Sequence, residues 1–143
     1  MNSSHQLTPA AVLRHAAFAG DLRCVRHLVA EGVDVNIWEH DGCSALTYAS
    51  RAGHLEVVLF LLANGAWAEP HEDYDTYCTP LMEAVCYGHL EIVKALVEAG
   101  AQPEWHVGVA QMTAECYARH YSQPEILAYL VDVIAQREKG ANS

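Results

Sequence analysis

One pair of residues in this sequence has the side chains of a nucleophile and its general base. Cys86 and His120 supply a thiol and an imidazole, which act together in cysteine enzymes. Such a dyad needs hydrogen-bonding contact between the two groups and a third group that orients the imidazole. The two residues fall in separate helical patterns, and packed helices lie about 8–10 Å apart. With no orienting group apparent, we predict no catalytic residue and no enzymatic activity.

A second group has the composition of a metal site. His71, Glu72, Asp73 and Asp75 combine an imidazole with three carboxylates, and oxygen-rich loops bind Ca²⁺. Their spacing does not match the twelve-residue calcium loop, and no turn glycine lies among them. The alternative is an acidic loop exposed to solvent. We therefore predict no metal site and no cofactor.

The elements that would position these residues are short helices. Residues 44–52 place Leu46 and Ala49 on one helical stripe, and residues 55–63 are apolar on nearly every side. A helix of the second kind must be buried between neighbours. Gly53 separates the two patterns and favours a turn with positive φ. His54 follows this glycine, and we expect its imidazole to hydrogen-bond the backbone near the start of the second helix, as we expect for His89.

This helix pair recurs along the chain. Two sets of glycines, one between the helices of a pair and one after the second helix, are each spaced by 33 and then 35 residues. Self-similarity at this period is typical of a solenoid of stacked helix pairs. The glycines are Gly20, Gly53 and Gly88 in the first set and Gly32, Gly65 and Gly100 in the second.

Several motifs in register resemble the ankyrin-repeat family. The family pattern matches residues 44–46 with 53–58, and it matches 79–84 with 88–93. The resemblance covers about residues 9–135 and implies an all-α ankyrin-repeat solenoid of about four helix-turn-helix repeats with short hairpin-like fingers. We expect one ankyrin-repeat domain over 8–138, with repeats at approximately 8–38, 39–73, 74–106 and 107–138, a disordered segment at 1–7 and a tail at 139–143. The last helix is expected over about 124–137, with Ser122 as its N-cap.

Charge and composition exclude several classes of partner. The formal net charge is −10, whereas phosphate binding requires a basic surface, so we predict no nucleic-acid partner. No apolar run is long enough to span a membrane, and the N-terminus has no secretory signal. The five cysteines form no CxxC pair and are expected to be reduced, which favours a cytoplasmic location. The stretches 34–43, 69–77 and 101–110 contain acidic residues but no Lys or Arg.

The resemblance implies that a partner binds on the concave side, formed by finger tips and first helices. Exposed aromatic residues are frequent at binding hot spots. The alternative for the tryptophans is packing across neighbouring fingers, which we favour for Trp67. The predicted partner-binding residues are Phe18, Trp38, His40, Asp41, Arg51, Asp73, Tyr74, Asp75, Tyr87, Trp105, His106, His120 and Tyr121.

These observations favour a non-catalytic module that binds a basic protein through an acidic, aromatic concave surface. One specific form is an inhibitor or immunity protein that masks a toxin or enzyme. The alternative is an adaptor that joins proteins without inhibiting them. We expect a monomer when the partner is absent; homo-oligomer assembly through an end repeat is a further alternative.

Overall fold

The fold consists of paired helices throughout the part of the chain that can be described. A computed structural model describes residues 7–38, 42–69, 79–106 and 111–142. Eight helices lie in these ranges, which confirms the predicted all-α class. They are α1 (Pro9–Ala19), α2 (Leu22–Ala30), α3 (Ala45–Ala52), α4 (Leu55–Ala63), α5 (Pro80–Cys86), α6 (Leu90–Glu98), α7 (Ala114–His120) and α8 (Pro124–Ala141).

The helices form two layers. The first helices of each pair pack in the order α1, α3, α5 and α7, and the second helices in the order α2, α4, α6 and α8. Each first helix also packs on the second helix of its own pair. The exposed side of the first layer, together with the residues that end its helices, is called here the inner-helix face. Each helix pair buries its apolar side chains against the neighbouring pairs. The stacked layers therefore hold the inner-helix face in a fixed arrangement.

The core lies between the two layers and repeats with the helices. Leu46 and Ala49 are buried, as the predicted stripe in α3 requires. In α4, the buried side chains are Val57, Val58 and Leu61. As predicted, α4 lies between neighbouring helices, α2 and α6, in the layer of second helices, called here the outer layer, and its Leu59 is 50% exposed.

A residue with a hydroxyl side chain occupies the N-cap position of each first helix. Each accepts a hydrogen bond from a backbone N–H in the first turn, which satisfies a donor that the helix itself cannot pair. These N-caps are Thr8, Ser44, Thr79 and Thr113. The prediction of Ser122 as the N-cap of α8 was wrong, because that residue has φ 53° and occupies the turn position held elsewhere by glycine. Gln123 is the N-cap residue instead, without a side-chain cap bond.

The turn glycines make room for histidines of the following repeat. Gly53 has φ 83°, and a Cβ at this position would lie 2.6 Å from the ring of His89. The His89 Nε2 atom lies 3.1 Å from the Arg51 carbonyl oxygen. His54 makes the same contact one repeat earlier, 2.9 Å from the Phe18 carbonyl. The predicted bond to the histidine's own helix start was therefore wrong, because the ring reaches back to the preceding repeat.

The last helix is longer than the sequence suggested. We predicted its end near Arg137, but α8 continues to Ala141 and includes part of the expected tail. Residues 136–139 are Gln, Arg, Glu and Lys, all good helix formers, and the end of α8 is exposed to water. Within the described ranges, no helix is both long enough and apolar enough to cross a membrane.

Candidate functional site

The described partner-binding candidates fall on the inner-helix face and on the loops beside it. Phe18, Tyr87, His120 and Tyr121 are exposed at the ends of the first helices. Tyr87 is 59% exposed, a large value for an aromatic side chain of this size. Five candidates lie outside the described residues: His40, Asp41, Asp73, Tyr74 and Asp75.

A cleft opens between α1 and α3. It has a volume of about 230 Å³ and is lined by Arg14, His15, Phe18, Tyr48 and Arg51. The Tyr48 ring is its centre: the guanidinium carbons of Arg14 and Arg51 lie 5.8 and 5.2 Å from the ring centroid. Phe18 meets Tyr48 edge to face, with centroids 6.1 Å apart. The structure thus brings together two predicted contact residues, Phe18 and Arg51, with three that sequence analysis missed.

A buried carboxylate fixes one wall of this cleft. Glu83, in α5, is only 6% exposed, and it accepts hydrogen bonds from Arg51 Nε at 2.8 Å and from Nη2 at 3.2 Å. The hydrogen bonds to Glu83 raise the pKa of Arg51 further, while burial opposes this shift. Arg51 therefore stays charged and oriented. Glu83 engages Nε and Nη2, and among the described residues no side chain is recorded on Nη1, which can therefore donate to a ligand.

A second aromatic cluster lies at the other end of the inner-helix face. Tyr121 stacks on Tyr117 with centroids 6.3 Å apart, and the His120 ring meets Tyr121 edge to face at 4.9 Å. The Tyr121 side chain also interacts with Cys86. Burial raises the pKa of Cys86 to about 11, the Glu83 carboxylate adds to this effect, and the interaction with Tyr121 lowers the pKa of the thiol. The thiol is therefore protonated at neutral pH, whereas a nucleophile must be a thiolate.

The loop tryptophans differ in exposure. Trp38 is half-buried, whereas Trp67 and Trp105 are 46% and 37% exposed. The backbone N–H of Trp67 donates to Asn36 Oδ1 at 2.8 Å, a main-chain bond that does not involve the indole, so packing of this ring across neighbouring fingers stays a prediction. His106 is exposed beside Trp105. Indole rings at such positions offer a flat apolar surface for a protein partner.

Two of the cleft residues that sequence analysis missed share one helical position with Glu83, the partner of Arg51. His15, Tyr48 and Glu83 each lie five residues before a turn glycine, one helical turn N-terminal to the predicted contact residues. A comparison of the repeats at this position would have found them, because its side chains differ strongly in chemistry from repeat to repeat. Arg14 has no such signal, since its aligned residues Thr47 and Met82 are buried.

These features define a helical repeat protein of a class that binds other molecules. They are the stacked helix pairs, the turn glycines with positive φ, and an inner-helix face whose side chains differ from repeat to repeat. Comparison with known families makes this specific. The family model described as ankyrin repeats in three copies matches residues 2–70 and 66–142. The chain belongs to the ankyrin-repeat family.

Individual relatives match over parts of their length. Human ankyrin repeat domain-containing protein 39 is 47% identical over 51 residues, covering 36% of this chain and 28% of that protein. The human Notch-regulated ankyrin repeat-containing protein is 36% identical over 56 residues, or 39% of this chain and 49% of that protein. An L-asparaginase from Dirofilaria immitis is 32% identical over 71 residues, half of this chain but 12% of that enzyme. The chain thus matches at most half the length of these relatives, and the similarity concerns the repeats.

Proposed function

We propose that this chain recognises another protein through its inner-helix face and catalyses no reaction. Ankyrin repeats imply protein–protein interaction, and ankyrin-repeat proteins are usually non-catalytic binding modules. The observation that supports this proposal best is the cleft between α1 and α3, where two guanidinium groups and a phenylalanine surround the Tyr48 ring. Tyrosine and arginine are the residue types that dominate binding hot spots, especially when neighbouring groups hold them in place.

The partner we propose is a basic protein. With a net charge of −10, the chain attracts positively charged molecules at long range, and its inter-repeat stretches contain acids without lysine or arginine. The cleft itself is positively charged and therefore favours an electron-rich group of the partner at this point. Its arginines donate hydrogen bonds, so the partner should present one acceptor there, either a carboxylate or a backbone carbonyl oxygen. Long-range charge would govern the approach, and the cleft and exposed aromatics would govern the lifetime of the complex.

The same surface would serve an inhibitor or immunity protein that covers the active cleft of a toxin or enzyme in the cytoplasm. The alternative function is an adaptor that joins proteins without inhibiting them. The first experiment is a pull-down from the native host followed by mass spectrometry. The partner's own activity, measured with and without a stoichiometric amount of the chain, then separates the two: inhibition supports the masking role, and unchanged activity supports the adaptor.

Truncation of an aromatic side chain on the inner-helix face, or of Trp38 in the loop before α3, should mainly accelerate dissociation from the partner. We expect Tyr87→Ala, or Trp38→Ala, to weaken binding by about 1–4 kcal/mol through a faster off-rate, because each removes a large contact surface. Surface plasmon resonance with the captured partner measures both rates. Leu59→Ala is the matched control for Tyr87→Ala, since Leu59 is similarly exposed but lies on the outer layer. If Leu59→Ala weakens binding and the other two variants do not, the partner binds elsewhere.

Reversal of the negative charges in the stretch 69–77 should change the association rate. We expect Glu72→Lys, Asp73→Lys and Asp75→Lys, combined in one variant, to slow association and flatten its dependence on salt. Dissociation should change little, because charges that act through long-range steering affect the association rate more than the lifetime of the complex. Measurement of the association rate at several salt concentrations tests this, and unchanged association would argue against a basic partner.

A further inference from the structure

One loop position links each repeat to the next. Asn36, Glu69 and Glu104 each lie four residues after the glycine that ends a helix pair. At the first of these positions, Asn36 uses both atoms of its amide. Its Nδ2 donates to the Gly65 carbonyl at 2.9 Å, and its Oδ1 accepts from the Trp67 backbone N–H at 2.8 Å. The side chain therefore joins the first loop to the second by one donated and one accepted hydrogen bond.

At the second position, Glu69 accepts a hydrogen bond as Asn36 does but, within the described ranges, has no equivalent of the bond that Asn36 donates. Its Oε1 accepts from the backbone N–H of Gln102, which is equivalent to Trp67 in the next loop. Its Oε2 is buried and has no hydrogen-bond partner among the residues that the structure describes. By register, Gly100 is the residue of the third loop that is equivalent to Gly65 in the second, whose carbonyl accepts from Asn36. An ionised carboxylate has no hydrogen to donate to such a carbonyl, whereas the neutral acid has one.

The surroundings of Glu69 favour the neutral acid. Burial raises its pKa to about 7, and the hydrogen bond from Gln102 opposes this shift. Among the described residues of the two adjoining loops, the titratable groups are Glu31, Asp34 and Cys43 on one side and Glu104 and His106 on the other. Asp34 accepts from the Asn36 backbone N–H, and Glu104 pairs with Arg137 at 3.4 Å. Glu39, His40, Asp41, His71 and the acids at 72–75 lie outside the described residues, and the experiment controls for the acids at 72–75, which are adjacent in sequence.

We propose that Glu69 carries a proton in the folded chain, and that the neutral acid joins the second loop to the third as Asn36 joins the first to the second. In this form Oε2–H donates to the Gly100 carbonyl. Ionisation removes that donor and leaves a negative charge in a half-buried site. The connection between the second and third repeats is therefore sensitive to pH, whereas the amide of Asn36 makes the preceding connection insensitive to it.

The sign of the effect follows from proton linkage. Glu69 binds a proton more tightly in the folded chain than in the unfolded chain, where the pKa of glutamate is about 4.3. Between these two values the folded chain holds more protons, so this residue's contribution to stability decreases as pH rises. The contribution is complete below about pH 4 and is lost by about pH 8, above the folded-state pKa of about 7.

The experiment compares the full-length chain with Glu69→Gln, whose amide is a permanent mimic of the neutral acid. We expect the two proteins to have the same thermal midpoint near pH 5 and the variant to have the higher midpoint near pH 8. Glu104→Gln is the matched control, because it removes the same charge at the equivalent position of the next repeat, where the carboxylate is paired with Arg137. The thermal midpoint of Glu104→Gln should not exceed that of the wild type near pH 8. A variant with Glu72→Gln, Asp73→Asn and Asp75→Asn tests the contribution of the adjacent acids.

A second measurement does not depend on any variant. The side-chain carboxyl carbon of Glu69 and the backbone amide of Gln102 should titrate together by NMR, with a common midpoint near pH 7. A midpoint near the ordinary value of about 4.3 would overturn the proposal, as would a Glu69→Gln midpoint that follows the wild type at every pH. Neither outcome affects the proposed function, because partner binding is measured separately on the inner-helix face.

Discussion

Leu96→Ala is expected to lower the free energy of unfolding by about 2–5 kcal/mol. Leu96 is 0% exposed in α6, which lies between α4 and α8 in the outer layer. Truncation removes apolar contacts and leaves a cavity that these packed helices can fill only in part. Leu61 is also 0% exposed, in α4, and Leu61→Ala should cost a similar amount. Urea denaturation followed by far-UV circular dichroism measures both effects.

Leu59 supplies the control for this comparison. It has the same side chain and lies in the same helix as Leu61, but half of its surface is exposed. Leu59→Ala should therefore cost less than about 1 kcal/mol, because it removes less buried area and leaves no enclosed cavity. Equal losses for Leu59→Ala and Leu61→Ala would mean that the packing described for the outer layer is incorrect.

The local elements of this fold were predictable because their signals are local. Gly20, Gly53 and Gly88 mark turns that require positive φ, and the hydroxyl residues before the first helices satisfy backbone N–H groups of the first turn. Both signals act over three or four residues. The end of α8 was harder to place, because Gly140 interrupts the helical pattern while the residues before it favour a helix.

Contacts between repeats were predicted less well, since they depend on how the repeats stack. His54 bonds a carbonyl 36 residues earlier, and Arg51 pairs with a carboxylate 32 residues later. Neither separation corresponds to a pattern within one helix. The sequence indicates which residues share a helical position, but the rise and rotation from one repeat to the next decide which of them meet.

The candidate site was also predicted in part, with residues placed correctly by their position in the repeat and contacts between repeats missed. Phe18 and Arg51 were predicted as contact residues from their place in the repeat, and the structure puts both in one cleft. The central Tyr48 was missed, because its role depends on arginines from two different helices. Glu69 was counted only as one more acid of a charged loop. Its Oε1 accepts a hydrogen bond from Gln102 in the following loop, 33 residues away, which no local pattern indicates.

The ion pair between Arg51 and Glu83 should show an asymmetric response to mutation. Arg51→Ala is expected to cost about 3 kcal/mol, because it leaves the Glu83 carboxylate buried without its charged partner. The Glu83 side chain is 7% exposed, whereas that of Arg51 is 30% exposed. Glu83→Gln should therefore cost less, about 1–2 kcal/mol, because the guanidinium that loses its partner can still be hydrated. Chemical denaturation of both single variants measures the difference.

The double variant Arg51→Met/Glu83→Met completes the cycle. Its loss should be smaller than the sum of the Arg51→Met and Glu83→Met losses by about 1–3 kcal/mol, because no buried charge is left without a partner. Additive losses would show that the two side chains do not interact in solution. The double variant also connects stability with recognition, because it removes a guanidinium from the cleft without leaving an unpaired carboxylate behind. If the cleft binds an acceptor group of the partner, this folded variant should still dissociate from the partner faster than the wild type does.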